Sequence, residues 1–292
     1  MRCICTSDWH LSGTRPLMRT DSDWIATQAA HIEKIREYAM KYNAVVFVAG
    51  DLHDVPTVPP VVLTLGLDLL VNCDMAAIAG NHDLPYHSAD KMWQSSFGVI
   101  RKVSPMLPAH IDAADFGLSS GRTDGKIIVR HAFSVKEKKD IPPTRDARTA
   151  EDWHKEFPNA ELIILGDNHT PWYTEIDGQF IVNCGCLIQR TATDAQHPCG
   201  FYYVDTDAHT CKYVDLSYLS VDCIDLSYLD MAKEKEVQAA SYEGLVEELK
   251  GSVGKSFDFP NTLREYTEQN RSVLGEKVAD FLEGVVDYIK EN

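Results

Sequence analysis

The sequence predicts a layered α/β fold, and three observations support this prediction. Strand-like and helix-like segments alternate through the first two-thirds of the chain, consecutive strand-like segments follow, and the last part is helical and strongly charged. Strands interleaved with helices are typical of sheets covered by helices. The composition is that of an ordinary globular protein, because 44% of the residues are hydrophobic and 25% are charged.

Each element follows from its local pattern. A short apolar strand is predicted at Cys3–Thr6, and helical spacing of apolar residues predicts a helix over Trp24–Tyr42. The β-branched run Ala44–Ala49 is typical of a buried strand, and Pro59–Leu70 has its prolines near the start of a helix, where they are tolerated. Further strands are predicted at Ala76–Ala79, Lys126–Arg130, Glu161–Leu165, Gln179–Asn183, Gly200–Val204 and Cys211–Leu216, with a helix around Ala150–Phe157 and a polar surface loop at Lys136–Arg148.

The character of the chain changes after Leu216, so we divide it into a domain of residues 1–216 and a C-terminal extension of residues 217–292. The extension is helical and charged in pattern, and an apolar face is predicted on its last helix. This face either packs on the protein's own core or docks a partner. Its residues are Val273, Val278, Phe281, Leu282, Val285 and Ile289.

Charge and cysteine content restrict the function classes. A net charge of −16 argues against a broad basic face for nucleic acid, although bound metal cations can reverse the field of one cleft. The 8 cysteines are sparse and several lie in predicted strands, which favours reduced thiols. The apolar stretches are too short to cross a membrane, and the first residues do not resemble a signal peptide. We therefore expect a cytoplasmic protein without membrane contact.

Polar residues collect directly after the predicted strands. The carboxyl ends of strands are where open α/β sheets build their sites, so these side chains are expected to converge. Asp, His and Asn are ligands for Mn²⁺, Fe or Zn²⁺ bound through oxygen and imidazole. Each short motif is weak alone, but five in this order indicate a metal site. In chain order the residues are Asp8 and His10; Asp51, His53 and Asp54; Asn81, His82 and Asp83; His131; and Asp167, Asn168 and His169.

This series of motifs resembles that of the calcineurin-like metallophosphoesterases, over roughly residues 1–216. The resemblance implies a four-layer α-β-β-α sandwich, with two sheets face to face, and a dinuclear metal centre. Carried over by position, one metal would be held by Asp8, His10 and His169, and the other by Asn81, His131 and Asp167. Asp51 would bridge the two metals. A bridging hydroxide would then be the nucleophile on a phosphodiester, with the cations about 3.5–4 Å apart.

Within that family, the spelling of residues 6–11 (TSDWHL) is most similar to the SbcD-type exonucleases of DNA double-strand-break repair. Residues 183–190 resemble a stretch of the same subgroup. One position departs from the family, because Asp167 stands where a histidine is usual. An oxygen-rich centre favours Mn²⁺ or Mg²⁺ over soft metals, and Fe²⁺ or Zn²⁺ remain alternatives.

The resemblance also gives roles to residues that are not metal ligands. His82 would face the phosphate and stabilise the transition state or protonate the leaving oxygen, and Asp83 would either orient His82 or hold the loop. Trp9, His53, Tyr86, His87 and Arg190 are weaker candidates for lining the substrate cleft.

The leading hypothesis is a metal-dependent DNA exonuclease subunit with an SbcC-type ATPase partner at the C-terminal region, and a homodimer is a further expectation. The alternatives are a small-molecule phosphodiesterase or phosphatase on the same scaffold, which the acidic balance favours, and a non-catalytic scaffold with a decayed site.

Overall fold

The computed structural model of the chain describes residues 1–103, 111–114, 126–143, 145–219 and 223–225, and beyond them residues 227, 264, 267–269, 271, 279–280 and 282–283. Strands and helices alternate through most of this part, as the sequence predicts. The strands are β1 (Arg2–Thr6), β2 (Val45–Ala49), β3 (Met75–Ile78), β4 (Ile111–Ala114), β5 (Ile127–His131), β6 (Ser134–Val135), β7 (Arg148–Thr149), β8 (Leu162–Gly166), β9 (Trp172–Ile176), β10 (Gln179–Asn183), β11 (Gly200–Asp205) and β12 (Thr210–Asp215); the α-helices are α1 (Trp24–Tyr42), α2 (Pro60–Asn72), α3 (Ser96–Val103) and α4 (Ala150–Glu156).

Two five-stranded sheets form the centre of the fold. The first has the order β12-β11-β1-β2-β3 and the second the order β4-β5-β8-β10-β9, while β6 and β7 form a small separate pair. Strands β1, β2 and β3 run parallel, and β11 joins them antiparallel to β1. In the second sheet β4, β5, β8 and β10 run parallel and β9 is antiparallel at the edge.

The two sheets pack face to face through apolar side chains. Cys5 and Phe47 from the first sheet share one buried cluster with Val129, Ile164 and Val182 from the second. The outer face of the first sheet packs with α1, α2 and α3, and that of the second packs with α4. The order of layers is therefore helix, sheet, sheet, helix, which confirms the predicted four-layer α/β sandwich.

Local sequence explains the bounds of the longest helix. Asp23 lies before its first turn in an extended conformation, and its side chain accepts a hydrogen bond from the amide of Ala26. Asn43 ends the helix in the left-handed conformation, and its amide donates to the carbonyls of Ala39 and Met40. Helix α1 therefore spans the residues that hydrophobic spacing predicts, and its buried face includes Ile32 and Ile35.

Several elements at the edges of the fold were not predicted from the sequence. Among the described residues these are α3, the strand β4, the short pair β6 and β7, and the edge strand β9. Strand β9 alternates between half-buried and exposed side chains, so it lacks the apolar run that marks the buried strands. A signal for it was nonetheless present: Asp177 and Gly178, both at positive φ, form the two-residue connection to β10.

The cysteines agree with the expectation of reduced thiols. All 8 are free, and five of them are buried, namely Cys3, Cys5, Cys184, Cys186 and Cys199. Burial raises the pKa of the Cys3 thiol to about 12, and it raises the pKa of Cys5 well above the ordinary value. These side chains therefore act as small apolar groups at neutral pH. Among the described helices, none is long and apolar enough to cross a membrane.

The chain divides into two compact units, Met1–Leu226 and Ser227–Asn292. In the second unit, Leu282 is helical and half-buried, and Arg271 pairs with Asp280 at 3.2 Å and with Glu283. The other residues of the predicted apolar helix face lie outside the described residues, namely Val273, Val278, Phe281, Val285 and Ile289. The assignment of residues 1–216 to a nuclease domain and 217–292 to an extension stays a prediction.

Replacement of Phe47 should test the packing of the two sheets. Phe47 is fully buried between them, so Phe47→Ala should lower the free energy of unfolding by about 3–5 kcal/mol through lost burial and a cavity. Val71→Ala is the control, because Val71 is 82% exposed and its replacement should change stability by less than about 0.5 kcal/mol. Urea denaturation measures both changes, and equal losses would contradict the packing described.

Candidate metal centre

The site lies where the carboxyl ends of strands from both sheets meet. Asp8 and Asp51 follow β1 and β2, His131 is the last residue of β5, and Asp167 follows β8. The first two loops are joined by hydrogen bonds from the amide of Asp8 to the carbonyl of Gly50 at 3.1 Å and from the amide of His10 to that of Asp51 at 3.0 Å. The face-to-face packing of the sheets thus brings together side chains that are far apart in sequence.

This close approach depends on glycine at two strand ends. A Cβ atom on Gly80 would lie 2.1 Å from Oδ1 of Asp51, and one on Gly166 would lie 2.2 Å from the carbonyl oxygen of Ala49. Real Cβ atoms do not approach other atoms so closely, so any other residue would push the loops apart. The two glycines therefore allow the loops to share one small volume.

The backbone of the site is strained at the residues that project into it. Positive φ angles occur at Asp8 (51°), His10 (46°), Asp51 (51°) and Asp167 (77°). Non-glycine residues adopt this region at a free-energy cost, and such residues cluster at functional sites where the surroundings hold them. These four strained residues are all candidate metal ligands that the sequence motifs predict.

Asp8, His10 and His169 form one group of candidate ligands. The Nε2 atoms of His10 and His169 lie 3.2 Å apart, and Oδ1 of Asp8 lies 3.9 Å from the first and 3.7 Å from the second. Their ligand atoms are close enough to hold one metal ion. Asp8 and His10 are buried, whereas His169 is 31% exposed, so the group opens to solvent on the His169 side.

The second group surrounds the imidazole of His131. Its Nε2 lies 3.1 Å from Oδ1 of Asn81, 3.4 Å from Oδ2 of Asp51 and 3.9 Å from Oδ1 of Asp167. Oδ2 of Asp51 also lies 3.7 Å from Nε2 of His10, in the first group. Asp51 therefore reaches both groups, as a bridging ligand would.

The far nitrogens of two histidines are held by other groups. Nδ1 of His131 lies 2.8 Å from the carbonyl oxygen of Ala49, and Nδ1 of His169 lies 2.8 Å from Oδ1 of Asp194. When each imidazole is neutral, a proton on Nδ1 makes these hydrogen bonds and leaves the lone pair of Nε2 directed into the site. Oxygen partners on the outer nitrogen are typical of metal-binding histidines, which they orient and make more basic.

Asp194 was not found by sequence reasoning. Thr191 and Asp194 have the spacing of a reciprocal capping pair, and the side chain of each accepts a hydrogen bond from the amide of the other. That pattern indicates a turn, but nothing local shows that the second carboxylate oxygen reaches His169. Only the tertiary fold supplies this contact.

The pKa values of the site residues are shifted in the direction expected where carboxylates stabilise nearby positive charge. Burial alone would lower the pKa of His131, but its hydrogen bond to Asp51 and the charges of nearby carboxylates raise it to about 10. Burial alone would also lower the pKa of His169, but the hydrogen bond to Asp194 and the charge of Asp8 raise it to about 9. Burial raises the pKa of the Asp8 carboxyl. Although burial opposes it, the imidazole of His131 lowers the pKa of Asp51.

These features fit divalent cations. The donor set combines carboxylate oxygens, imidazole nitrogens and one amide oxygen, which suits metals such as Mn²⁺. Nδ1 of His10 is buried and has no hydrogen-bond partner, although Oδ1 of Asp54 lies 3.6 Å away. The seven predicted ligands lie together, but their division between two metals stays a prediction; they are Asp8, His10, Asp51, Asn81, His131, Asp167 and His169.

His82 lies at the edge of this cluster. Its ring contacts that of His10 edge-on, with centroids 4.7 Å apart, and its side chain is 42% exposed. Nδ1 of His82 lies 2.9 Å from the carbonyl oxygen of Asp54 and 3.9 Å from the carboxylate Oδ1 of the same residue. Arg190 holds that carboxylate at 2.8 Å. Asp54 is therefore the acidic residue beside His82.

Of the two roles that the sequence left open for Asp83, its contacts agree with the second, which is to hold the loop. Its buried carboxylate accepts hydrogen bonds from the amides of Leu52 at 3.0 Å, His53 at 2.8 Å and Gly80 at 3.0 Å. Asp83 thus joins the loops after β2 and β3, and Asp54 takes the place beside His82. Because the two aspartates lie on different loops, only the tertiary structure could distinguish them.

The weaker candidates for the cleft separate into two classes. Trp9 and His53 are fully buried and fill space beneath the loops, so they do not line a cleft. Tyr86 is 91% exposed, and Nδ1 of His87 lies 2.9 Å from the carbonyl oxygen of Asn81. Tyr86 and His87 therefore remain candidates for contacts to substrate, and the ring of His87 lies near that of His82. The guanidinium of Arg190 is paired with the carboxylate of Asp54.

The α/β sandwich carries a candidate metal centre at the ends of its strands, and a sequence comparison gives the family. Residues 1–200 match the model of the calcineurin-like phosphoesterases. Because the match covers more than half of the chain, the protein belongs to this family. None of the curated proteins compared with the chain matches it.

Solved structures are similar at low identity. An archaeal phosphodiesterase is 16% identical, with 74% of this chain and 100% of that one covered at a TM-score of 0.44. The protein TT1561 of Thermus thermophilus is 10% identical, with 73% and 98% covered at a TM-score of 0.43. A Vps29 mutant from Entamoeba histolytica is 13% identical, with 74% and 99% covered at a TM-score of 0.38. At these values the similarities carry no argument about substrate.

Removal of the Asp51 carboxylate should abolish binding of a metal pair. Asp51 is the one carboxylate of the described site that approaches both His10 and His131 within 4 Å, so Asp51→Ala should leave fewer than two tightly bound metals. Elemental analysis after dialysis against Mn²⁺ measures the stoichiometry. Retention of two metals with the wild-type affinity would place the bridging ligand elsewhere.

Metal binding should release protons and strengthen as the pH rises. With pKa values of about 10 and about 9, His131 and His169 are protonated at neutral pH in the metal-free protein. A metal requires both as neutral ligands, so binding at pH 7 should release about two protons and the affinity should increase between pH 6 and about 10. Calorimetry in two buffers of different ionisation enthalpy measures the release. An affinity independent of pH would contradict this expectation.

Proposed function

We propose that the protein is a metal-dependent DNA nuclease, similar to the SbcD-type exonuclease subunits, that hydrolyses phosphodiester bonds at a dinuclear centre. One observation carries the proposal: candidate ligands from the ends of five strands converge beside an accessible histidine. His82 and His169 are 42% and 31% exposed, so the cluster opens to the surface rather than to an enclosed cavity. A polymeric substrate can reach such a site.

The two cations would supply Lewis-acid activation of the phosphodiester and of the attacking water. The chain's own residues prepare the rest of the chemistry. Asp194 and the carbonyl of Ala49 fix the rings of His169 and His131, so that their Nε2 atoms stay directed into the site. Carboxylates in a water-poor surrounding hold positive charge more strongly than they would in water.

We assign to His82 the protonation of the leaving oxygen. The carbonyl of Asp54 accepts the proton on Nδ1, which leaves Nε2 as the nitrogen that exchanges a proton with substrate. The Asp54 carboxylate lies 3.9 Å from Nδ1 of the ring, and Arg190 holds that carboxylate in place. His82 thus combines a fixed ring, an accessible nitrogen and a nearby negative charge, which is the set of properties that a general acid requires.

The choice of DNA as substrate rests on the sequence. Residues 6–11 and 183–190 resemble the SbcD-type subgroup, and in the structure both segments border the site. His10 lies in the first segment, and the amide of Arg190, in the second, donates to Asp194. By the same resemblance we propose Mn²⁺ as the metal, a cytoplasmic location, a homodimer, and an SbcC-type ATPase as partner of the C-terminal region.

A small-molecule phosphodiesterase is the second candidate. The net charge of −16 favours it, because a duplex binder usually carries a broad basic surface. Three substrates separate the two proposals: linear double-stranded DNA, single-stranded DNA and bis-p-nitrophenyl phosphate, each with Mn²⁺. Release of nucleotides from DNA supports the nuclease, whereas turnover of the small diester alone supports the second candidate. Inactivity on all three with bound metal would contradict both.

Replacement of His82 should separate catalysis from metal binding. His82→Ala should keep the metal content and reduce kcat by about 100- to 10,000-fold, the usual contribution of one general acid. His154→Ala is a matched control, because His154 also lies near a carboxylate, Asp177 at 3.5 Å, but belongs to α4. Metal analysis and turnover are measured on both variants. Loss of metal from His82→Ala would make His82 a ligand instead.

A further inference from the structure

Arg145 makes a direct contact with the position at which this chain departs from its family. Its guanidinium donates a hydrogen bond to Oδ2 of Asp167. The other oxygen of that carboxylate faces Nε2 of His131 at 3.9 Å, and the amide of Asp167 donates to Oδ2 of Asp8 at 3.0 Å. Arg145 therefore contacts a candidate ligand directly, through the carboxylate oxygen that does not face His131.

The guanidinium is held in a defined plane. Its central carbon lies 3.8 Å from the centroid of the Phe133 ring, a stacking contact that fixes the orientation of the group. The side chain is nevertheless 49% exposed. Among the described residues, Asp167 is the one hydrogen-bond partner of this side chain, and it engages a single terminal nitrogen. A guanidinium carries five N–H donors, and among the described residues one of them has a hydrogen-bond partner.

Arg145 is a positively charged group in strongly acidic surroundings. The described site gathers the carboxylates of Asp8, Asp51, Asp54, Asp167 and Asp194, and the whole chain has a net charge of −16. A phosphate group is itself an anion and meets repulsion at this edge of the molecule. Arg190, the other arginine that pairs with a carboxylate of the site, is only 14% exposed and holds Asp54. Arg145 is the more accessible of the two.

We infer that Arg145 is a phosphate-binding residue of this site, which donates hydrogen bonds from its free guanidinium face to the oxygens of the substrate phosphate. The planar fork of arginine matches two phosphate oxygens, and the stacked ring keeps the fork in place. This inference rests on the proposed function, because it names a contact to the substrate of that reaction. Arg145 thereby supplies positive charge at the edge of the site in a chain whose net charge is −16.

A counter-ion role is the competing explanation. If Arg145 only neutralises Asp167, its removal should change the affinity for metal and leave the affinity for phosphate unaltered. If it binds phosphate, its removal should weaken the affinity for phosphate and leave the affinity for metal unaltered. The two explanations therefore differ in which ligand responds, and binding measurements separate them without reference to turnover.

The test compares full-length wild type with Arg145→Ala, Arg145→Lys and a matched control, Arg148→Ala. Arg148 lies in the same segment, stacks on Trp153 at 3.6 Å and pairs with Glu156, but it does not contact Asp167. Binding of Mn²⁺ is measured by electron paramagnetic resonance of the free ion, and binding of inorganic phosphate to the Mn²⁺-loaded proteins by calorimetry. Hydrolysis of linear double-stranded DNA, single-stranded DNA and bis-p-nitrophenyl phosphate by the wild type is recorded separately.

Arg145→Ala should bind phosphate about 10- to 100-fold more weakly, as expected for the loss of hydrogen bonds to a charged group, and should bind Mn²⁺ with the wild-type affinity. Arg145→Lys should fall between them, because it keeps the charge but not the fork. Arg148→Ala should match the wild type. Equal phosphate affinity in wild type and Arg145→Ala, loss of Mn²⁺ from that variant, or no phosphate binding by the wild type would each overturn the inference.

The same data distinguish failure of this inference from failure of the proposed function. Wild-type protein that hydrolyses diesters while Arg145→Ala binds phosphate normally would reject the role of Arg145 alone. Wild-type protein that binds phosphate through Arg145 but hydrolyses none of the diesters would keep that role and reject the proposed nuclease.

Discussion

The burial of carboxylates at the meeting point of two sheets is the constraint on which the rest of this structure depends. Asp8 is fully buried and Asp51 nearly so, and a buried carboxylate is costly unless positive charge or hydrogen-bond donors compensate it. The surroundings supply both. The amide of Asp167 donates to Asp8, the amide of His82 donates to Asp51, and raised pKa values allow His131 and His169 to carry protons. Divalent cations would compensate the same carboxylates with more charge and at a shorter distance from their oxygens.

The same constraint links the packing of the sheets to the chemistry of the site. The loops approach closely only because Gly80 and Gly166 carry no Cβ, and the strained backbone at Asp8, His10, Asp51 and Asp167 persists only because the sheets beneath are rigid. Strands such as β2, with Phe47 between the sheets, hold these loops against each other. Stability of the sandwich and geometry of the centre are therefore parts of one arrangement.

Much of this arrangement was predictable from the sequence, because it depends on local patterns. Hydrophobic periodicity gives the bounds of α1, and the Asp, His and Asn residues after each strand give the candidate ligands that the structure brings together. The contacts that could not be predicted join distant loops. Asp194 reaches His169, Asp54 rather than Asp83 lies beside His82, and Arg145 pairs with Asp167. The sequence predicted the loops that contain Asp54 and Arg145 but not their partners, and it did not single out Asp194. Each of these contacts is set by how the two sheets pack.

A crystal structure of the protein soaked in Mn²⁺, with anomalous diffraction recorded near the manganese edge, tests the central claim most directly. The account predicts two anomalous peaks roughly 3.5–4 Å apart. One should contact Asp8, His10 and His169, the other Asn81, His131 and Asp167, and both should contact the carboxylate of Asp51. A single peak, a pair of peaks that Asp51 does not join, or density at another part of the surface would contradict it.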